Sequence, residues 1–305
     1  MKNSRGVVGI VLSGIAAIGL STAASAGLTQ WNLVVNGDLF SNSEVEGTAF
    51  IGGNLSGPAS NYATMLSPAQ FSGVDTLVVG GNITAGNINL QAGNARVGGT
   101  VSGNINFNGG GSLISDPGVS AIASQLAAEM ASSSAFLQGL SSNSSVQIPG
   151  GQPGAAVFNA APDANGVAVF NIDGSFFSNS LIQQIDLNAN GASSIVVNVT
   201  GSNINYNTGN FVGGWLANSV RATTVWNFFE ATSIDMDRAF NGAILAPGAH
   251  LTNSTILSGA VWVDSFDQKG EVHLPFYTGV IPAPGVLAML GGAMLFGSGR
   301  RRRLA

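Results

Sequence analysis

The chain has two histidines, His250 and His273, and no cysteine. Two imidazoles do not fill a zinc site without carboxylate help, and the absence of thiols excludes disulfides, Cys-ligated metals and thiol catalysis. What remains is carboxylate chemistry. Asp235 and Asp237 stand two residues apart, as do Glu271 and His273, and that spacing puts both members of a pair on one side of a strand. Two carboxylates about 5–9 Å apart can hydrolyse a glycosidic bond. Asp264, Asp267 and Glu271 form a second acidic group, whose hard oxygens suit Ca²⁺ with its roughly 6–8 oxygen ligands. Their spacing matches neither an EF-hand loop nor the Gly-rich nonapeptide calcium repeat, so a solvated loop is the simpler expectation. No H-E-x-x-H, G-x-G-x-x-G, G-x-x-x-x-G-K or G-x-S-x-G occurs. The residues therefore name no catalytic group, no cofactor and no metal.

Binding without chemistry needs a surface. Trp215, Trp226, Phe228, Phe229 and Trp262 could stack on sugar rings if exposed, but large aromatics more often fill an interior, and that is the expectation here. Ice binding needs a flat, regular face of Thr or similar residues; Thr is sparse and forms no Thr-x-Thr array, which argues against it. Of ten basic residues, six lie at the chain's ends, at Lys2, Arg5 and Arg300 to Arg303. Arg96, Arg221, Arg238 and Lys269 are left against fifteen acidic residues, a net charge of −11 between the ends. Such a body repels nucleic acid, and its four scattered cations suit no lyase of acidic sugars.

The elements that must position these residues are short strands. The phrase Val34-Val35-Asn36-Gly37-Asp38-Leu39 returns as Ile51-Gly52-Gly53-Asn54-Leu55, Val78-Val79-Gly80-Gly81-Asn82-Ile83 and Val97-Gly98-Gly99-Thr100-Val101. Its central Gly recurs at intervals of 16, 28 and 18, the long interval holding an insertion around 58–70. Each phrase reads as a strand, a corner and a strand, the Gly and Asn supplying positive φ at the corner. Gly242-Ala243-Ile244-Leu245-Ala246 recurs as Gly259-Ala260-Val261-Trp262-Val263. A strand-and-corner unit this short cannot bury its inner face alone, whereas a stack of them can. The 8% of charged residues fits stacked rungs, and Asn inside the coil would form amide ladders. The pattern predicts an all-β, right-handed β-solenoid (β-helix) rather than a β-sandwich. One α-helix, at about 117–140, packs alongside: Asp116-Pro117 opens it and Gly139 closes it. Val119, Ile122, Leu126, Met130, Leu137 and Leu140 form its apolar stripe, interrupted by Ser133.

The ends read as addresses. Lys2 and Arg5 precede an apolar run over 7–20, and Ala24-Ser25-Ala26 fits signal peptidase, with cleavage expected after Ala26. At the other end Pro282-Ala283-Pro284 precedes an apolar stretch over 285–299 and Arg300, Arg301, Arg302 and Arg303. Fifteen helical residues reach about 22 Å against a hydrocarbon core of about 30 Å, a short stop-transfer segment whose Arg cluster stays inside. The expected division is a signal peptide at 1–26, a β-solenoid at 27–279 and a sorting or transmembrane tail at 280–305.

The tail resembles the PEP-CTERM sorting signal of Gram-negative bacteria, with Ala283 where the motif has Glu. The resemblance implies recognition by an exosortase-type sorting enzyme at the inner membrane; a permanent C-terminal anchor is the rival reading. The body resembles the choice-of-anchor A family of bacterial surface proteins. The matching residues are Val35-Asn36-Gly37-Asp38-Leu39, Glu46-Gly47, Gly52-Gly53-Asn54-Leu55, Val79-Gly80-Gly81-Asn82-Ile83, Trp226-Asn227-Phe228, Gly242-Ala243-Ile244-Leu245-Ala246-Pro247 and Gly270-Glu271-Val272-His273. That resemblance implies an adhesive β-helix with no catalytic residues. The expected function is an exported cell-surface or extracellular-matrix protein with a structural or adhesive role, in contact with extracellular polysaccharide or matrix. The alternative is an extracellular polysaccharide-active β-helix enzyme, glycosidase or lyase, using Asp235 and Asp237.

Overall fold

In the computed structural model, residues 27–279 are described. The expected cleavage site at Ala24 and Ala26, and the tail residues Pro282, Ala283, Pro284 and Arg300 to Arg303, lie outside them. Among the described residues no helix is long and apolar enough to cross a membrane.

The first turn of the coil lays down three short strands, Leu33–Val35, Leu39–Ser41 and Glu44–Val45, one on each of three faces. The next turn places Ala49–Ile51, Leu55–Ser56 and Ala59–Tyr62 on them in parallel register. On the first face Asp75–Val79, Asn94–Val97 and Leu113–Ser115 continue the stack. The chain then leaves through helix α1 (Val119–Gln138), which runs back along the first face to the far end. From there Val167–Asp173, Ser194–Thr200, Thr224–Asn227, Ala243–Asn253 and Val261–Gln268 each stack on the one before. The last of these closes on the first strand, with Val261 opposite Leu33 and Val263 opposite Val35. The fold is thus a β-solenoid wound out of sequence order, its first turn lying between the second and the last. The named strands pair in parallel throughout, except Ser145–Gln147 against Gly154–Asn159.

The first face is buried on both sides where α1 covers it, so strands such as Leu33–Val35 and Ala49–Ile51 read as apolar runs. Leu33, Val35, Ile51 and Val79 point into the coil. Their neighbours Val34, Phe50, Val78, Leu245 and Trp262 point outward and are equally buried, because α1 lies over them. The helix presents Val119, Leu126, Met130 and Leu137 to that face, as its stripe predicts. Its start is two residues later than expected. Asp116 does not cap the helix; its carboxylate accepts from Gly118 N–H at 2.8 Å and from Arg96 Nη1 at 2.9 Å, which sets up the turn before it. Gly139 does close the helix. A second, short helix α2 (Asn218–Thr223) was not foreseen.

The glycine corners are real, but their cause differs from the one expected. Gly37, Gly53, Gly81 and Gly99 do not have positive φ. They stack directly: Gly53, Gly81 and Gly99 each donate N–H to the carbonyl of the glycine one turn below, at 2.8, 2.8 and 3.0 Å. A Cβ on Gly53, Gly81 or Gly99 would stand 2.6–2.7 Å from that same carbonyl oxygen. Close approach, not handedness, demands glycine here. The Asn ladders also lie elsewhere than expected. The coil interior is mainly apolar, with Ser41, Asn253 and Gln268 as buried polar exceptions, and the ladders run along the outside. Asn89 Nδ2 donates to Asn61 and Asn106 Nδ2 to Asn89, both at 2.9 Å, on the third face.

Candidate adhesive face

The second face is built from the middle strand of each turn. Ile204, Ile234, Leu251, Phe266, Leu39 and Leu55 stand in register and point inward, with Ile83 and Val101 bridged onto the end of the row. Strand alternation then forces the residues on either side outward. One outer column runs Asn205, Asp235, Thr252, Asp267, Phe40 and Ser56. Thr84 and Ser102, the residues after Ile83 and Val101, are exposed and continue it. The other column runs Asn203, Ser233, His250 and Ser265. It continues through Asp38, Asn54, Asn82 and Thr100, which are tied rung to rung. Asn54 N–H donates to Asp38 Oδ1 at 2.6 Å, Asn82 N–H to Asn54 Oδ1 at 2.9 Å and Thr100 N–H to Asn82 Oδ1 at 2.9 Å. Eight rungs at about 4.8 Å make a face roughly 34 Å long. α1 covers the first face and leaves this one open. Its side chains are short and polar apart from Phe40, which is 40% exposed. Both columns lack Lys and Arg, while Asp38, Asp235 and Asp267 make the face acidic.

The residues singled out for chemistry are dispersed by this geometry. Asp235 takes its place in an outer column, whereas Asp237 lies past the end of the strand Ser233–Met236, where its carboxylate accepts from Ser254 Oγ at 3.0 Å. The acidic trio is likewise split: Asp264 accepts from Asn36 Nδ2 at 3.1 Å, Asp267 sits on the second face, and Glu271 is on the third. Among the described residues no group of three or more His, Asp or Glu could hold a metal ion. His250 Nδ1 lies 2.9 Å from Ser265 Oγ on the second face.

Glu271 and His273 do share a side of their strand, with His273 Nε2 at 2.5 Å from Glu271 Oε2. They meet a pair the sequence reading missed. Val272 pairs with Val45, which brings Glu44 and Glu46 alongside, Glu46 Oε1 lying 3.7 Å from His273 Nε2. Burial, then the negative charges of Glu271 and Glu46, push the Glu44 carboxyl above its ordinary range. The alternation Glu44-Val45-Glu46 was a visible signal for one outward side of a strand. Its partner strand, from the far end of the sequence, was not.

Four of the five aromatics are buried, as expected, Trp215, Trp226 and Phe228 inside the coil and Trp262 under α1 with its ring edge-on to Tyr277, while Phe229 is only partly buried. The two-column face itself was legible in part. After each double glycine stands a polar residue, an apolar one and another polar one: Asn54-Leu55-Ser56, Asn82-Ile83-Thr84 and Thr100-Val101-Ser102. Searching for Thr alone hides that pattern.

The family described as "Putative Ice-binding-like adhesive domain" matches residues 24–274 of the chain. Two crystal structures are similar to it. One is an ice-binding protein from the Antarctic ascomycete Antarctomyces psychrotrophicus, at 13% identity over 81% of this chain and 96% of that one, with a TM-score of 0.31. The other is an ice binding protein from an Antarctic Biological Consortium, at 14% identity over 83% and 90%, with a TM-score of 0.35. No curated protein matches the chain.

Proposed function

We propose that this chain, which belongs to the ice-binding-like adhesive domain family, is an exported surface protein that grips an extended partner with its second face. The observation that carries the reading is the open eight-rung array of short outward side chains, set on a rigid coil whose first face is already occupied by α1. The rungs of the array pair in parallel register along the coil, so the face is pre-ordered and loses little entropy on contact. Its Asn, Ser, Thr and Asp side chains offer repeating donors and acceptors to a polymer that repeats as well. A hydroxyl-rich polysaccharide or matrix component suits this chemistry. Ice binding belongs to the two proteins of the similar crystal structures. In this chain Thr84, Thr100 and Thr252 are scattered among Asn, Ser and Asp, and that mixture favours a polymer over a crystal lattice.

Delivery belongs to the same proposal. The PEP-CTERM-like end with Pro282, Ala283 and Pro284 and the four closing arginines would bring the domain to the envelope by way of an exosortase-type enzyme and the inner membrane. The choice-of-anchor A resemblance of the body supports the same route.

The test is adhesion of the purified protein to polysaccharide-coated and matrix-coated surfaces. Lysine at Ser56, Thr84 and Ser102 should reduce binding by roughly tenfold or more, since three long side chains would lift the partner off the rungs. Unchanged binding would move the site off this face, and enrichment of the protein in growing ice would move the reading from polymer to ice. Because Asp235 lies on the face, Asp235→Asn is expected to alter adhesion modestly. Release of sugar products by the wild type would instead revive the glycosidase reading.

A further inference from the structure

The two ends of the coil are finished differently. At the end reached by α1, the strand edges are capped on two faces and reversed on the third. Asn143 and Ser144 donate their N–H groups to Val169 O on the first face, at 3.2 and 3.1 Å. The 3-10 turn Gly174–Ser178 offers Phe177 O to the N–H groups of Asn207 and Thr208 beside the second face. On the third, Ser145–Gln147 pairs antiparallel with Gly154–Asn159, and its own outer edge carries no further strand among the described residues. At the opposite end nothing comparable occurs among the described residues. Leu113–Ser115 pairs only with Asn94–Val97, Asn104–Phe107 only with Asn87–Leu90, and Val101 bridges only Ile83. Three strand edges therefore face outward together, around the last layer of the core. That layer is incompletely covered: Leu113 is 48% exposed, and Val101, Ile105 and Phe107 are partly so.

Natural edges of this kind are usually blunted by charge or proline. This one is not. Between Arg96 and Asp116 no residue carries a charge and none is proline. In a body of net charge −11, two copies meet at this edge without like charges on the edge residues themselves.

We infer that this uncharged open coil end docks onto the same end of a second copy of the chain. Shape selects that occupant. A lone peptide strand could pair with one edge, whereas the three edges and the apolar layer between them are matched together only by another coil end. The opposite end matches poorly, because two of its faces are capped and the third ends on a reversed strand, so closure as a two-fold dimer is favoured over head-to-tail growth. Strand edges meet in antiparallel fashion across the axis, and Val101, Ile105, Phe107 and Leu113 of each copy become buried. The contact uses edges only, so the second face stays open in both copies.

The experiment is sedimentation of the full chain over a range of concentrations. The wild type should shift from one to two copies as concentration rises. Asn104 is exposed at the edge and its amide donates to Asn87 and Asn106, so Asn104→Lys and Asn104→Asp should lower the melting temperature only slightly. Each alone should weaken the dimer by roughly tenfold or more through like charge, and their mixture should restore it. Ile105→Lys should also give a monomer, and Ser145→Lys, at the opposite end, should not. Amide exchange in Asn104–Phe107 and Leu113–Ser115 should slow as concentration rises. A wild type that stays monomeric overturns the inference. So does association indifferent to Asn104→Lys, which is the result if chain ends or a captured peptide strand hold the copies together.

Discussion

Asn171, Asn198 and Asn227 occupy one register position on the first face, where the next strands place Leu245, Trp262 and Val34. Under α1 the column thus changes from apolar to amide, and the helix answers with a serine. Asn227 Oδ1 accepts from Ser134 Oγ at 2.6 Å, and Asn227 Nδ2 donates to Ser134 O and to Asn198 Oδ1, both at 2.9 Å. Asn198 Nδ2 then donates to Leu137 O at 2.8 Å, satisfying a carbonyl in the helix's last turn. Replacing Asn227 with Ala leaves several buried polar groups unmatched, and a loss of about 2–4 kcal/mol is expected in chemical denaturation. Glu44 works in the other direction. Its carboxyl is raised by burial and by two like charges, so its ionised form opposes folding above its folded pKa, and that penalty disappears as pH falls through it. Glu44→Gln should therefore melt higher than the wild type at neutral pH, with the difference vanishing in acid. Asp116, Asp163 and Asp173 are lowered by hydrogen bonds and contribute the opposite slope, stability lost as pH falls. The pairwise comparison of Glu44→Gln with the wild type isolates the one group from that background.

At the scale of elements, the repeated phrase was read as strand, corner and strand, and the structure agrees. Its glycines were assigned to turn handedness, yet they are needed because each corner rests on the one beneath. Local sequence cannot separate these causes, since both select Gly; only the stacked neighbour does. Substitutions do separate them. A Cβ on Gly80 would collide with the backbone of Gly52, whereas Gly150 has open space and an ordinary φ. Gly80→Ala is expected to destabilise by about 2 kcal/mol or more. Gly150→Ala should be neutral or stabilising by about 0.4–1 kcal/mol through the unfolded chain. A melting series of the two checks this directly. α1 was legible for a different reason: its stripe has helical period and spans five turns, a signal that no single corner provides. Ser133 looked like an interruption of that stripe; it is buried, as is its neighbour Ser134, which meets Asn227. The candidate face was half legible, its polar–apolar–polar triplets plain after each double glycine and its second-half rungs hidden in dissimilar strands such as Ser233–Met236.

For the whole molecule, the order in which turns stack was the feature least open to sequence reading. Val261 looks no more like a partner for Leu33 than Val78 does, because any apolar strand of this length fits any other. What decides is the length of α1, which carries the chain past its own first turn and forces the second half to wind back toward it. The closing pair joins residues 228 positions apart, Leu33 with Val261. Until it forms, the first turn has an uncovered edge and the outward residues Val34 and Phe50 lack the neighbour Trp262. The N-terminal half is therefore a stack open at both ends, and contacts of such long range are slow to form and prone to misassembly. A fragment ending at residue 140 is expected to lack a cooperative melt and to aggregate. Supplying 141–279 in trans should restore a folded complex, since all the strands that close on the first turn come from that piece. Near-ultraviolet circular dichroism of Trp262 and Tyr277 reports it, because both rings come from the second fragment and pack under the helix of the first. If the first fragment melted cooperatively alone, coils 33–115 would be self-sufficient and the meeting of the two halves would be a docking event rather than the step that completes the fold.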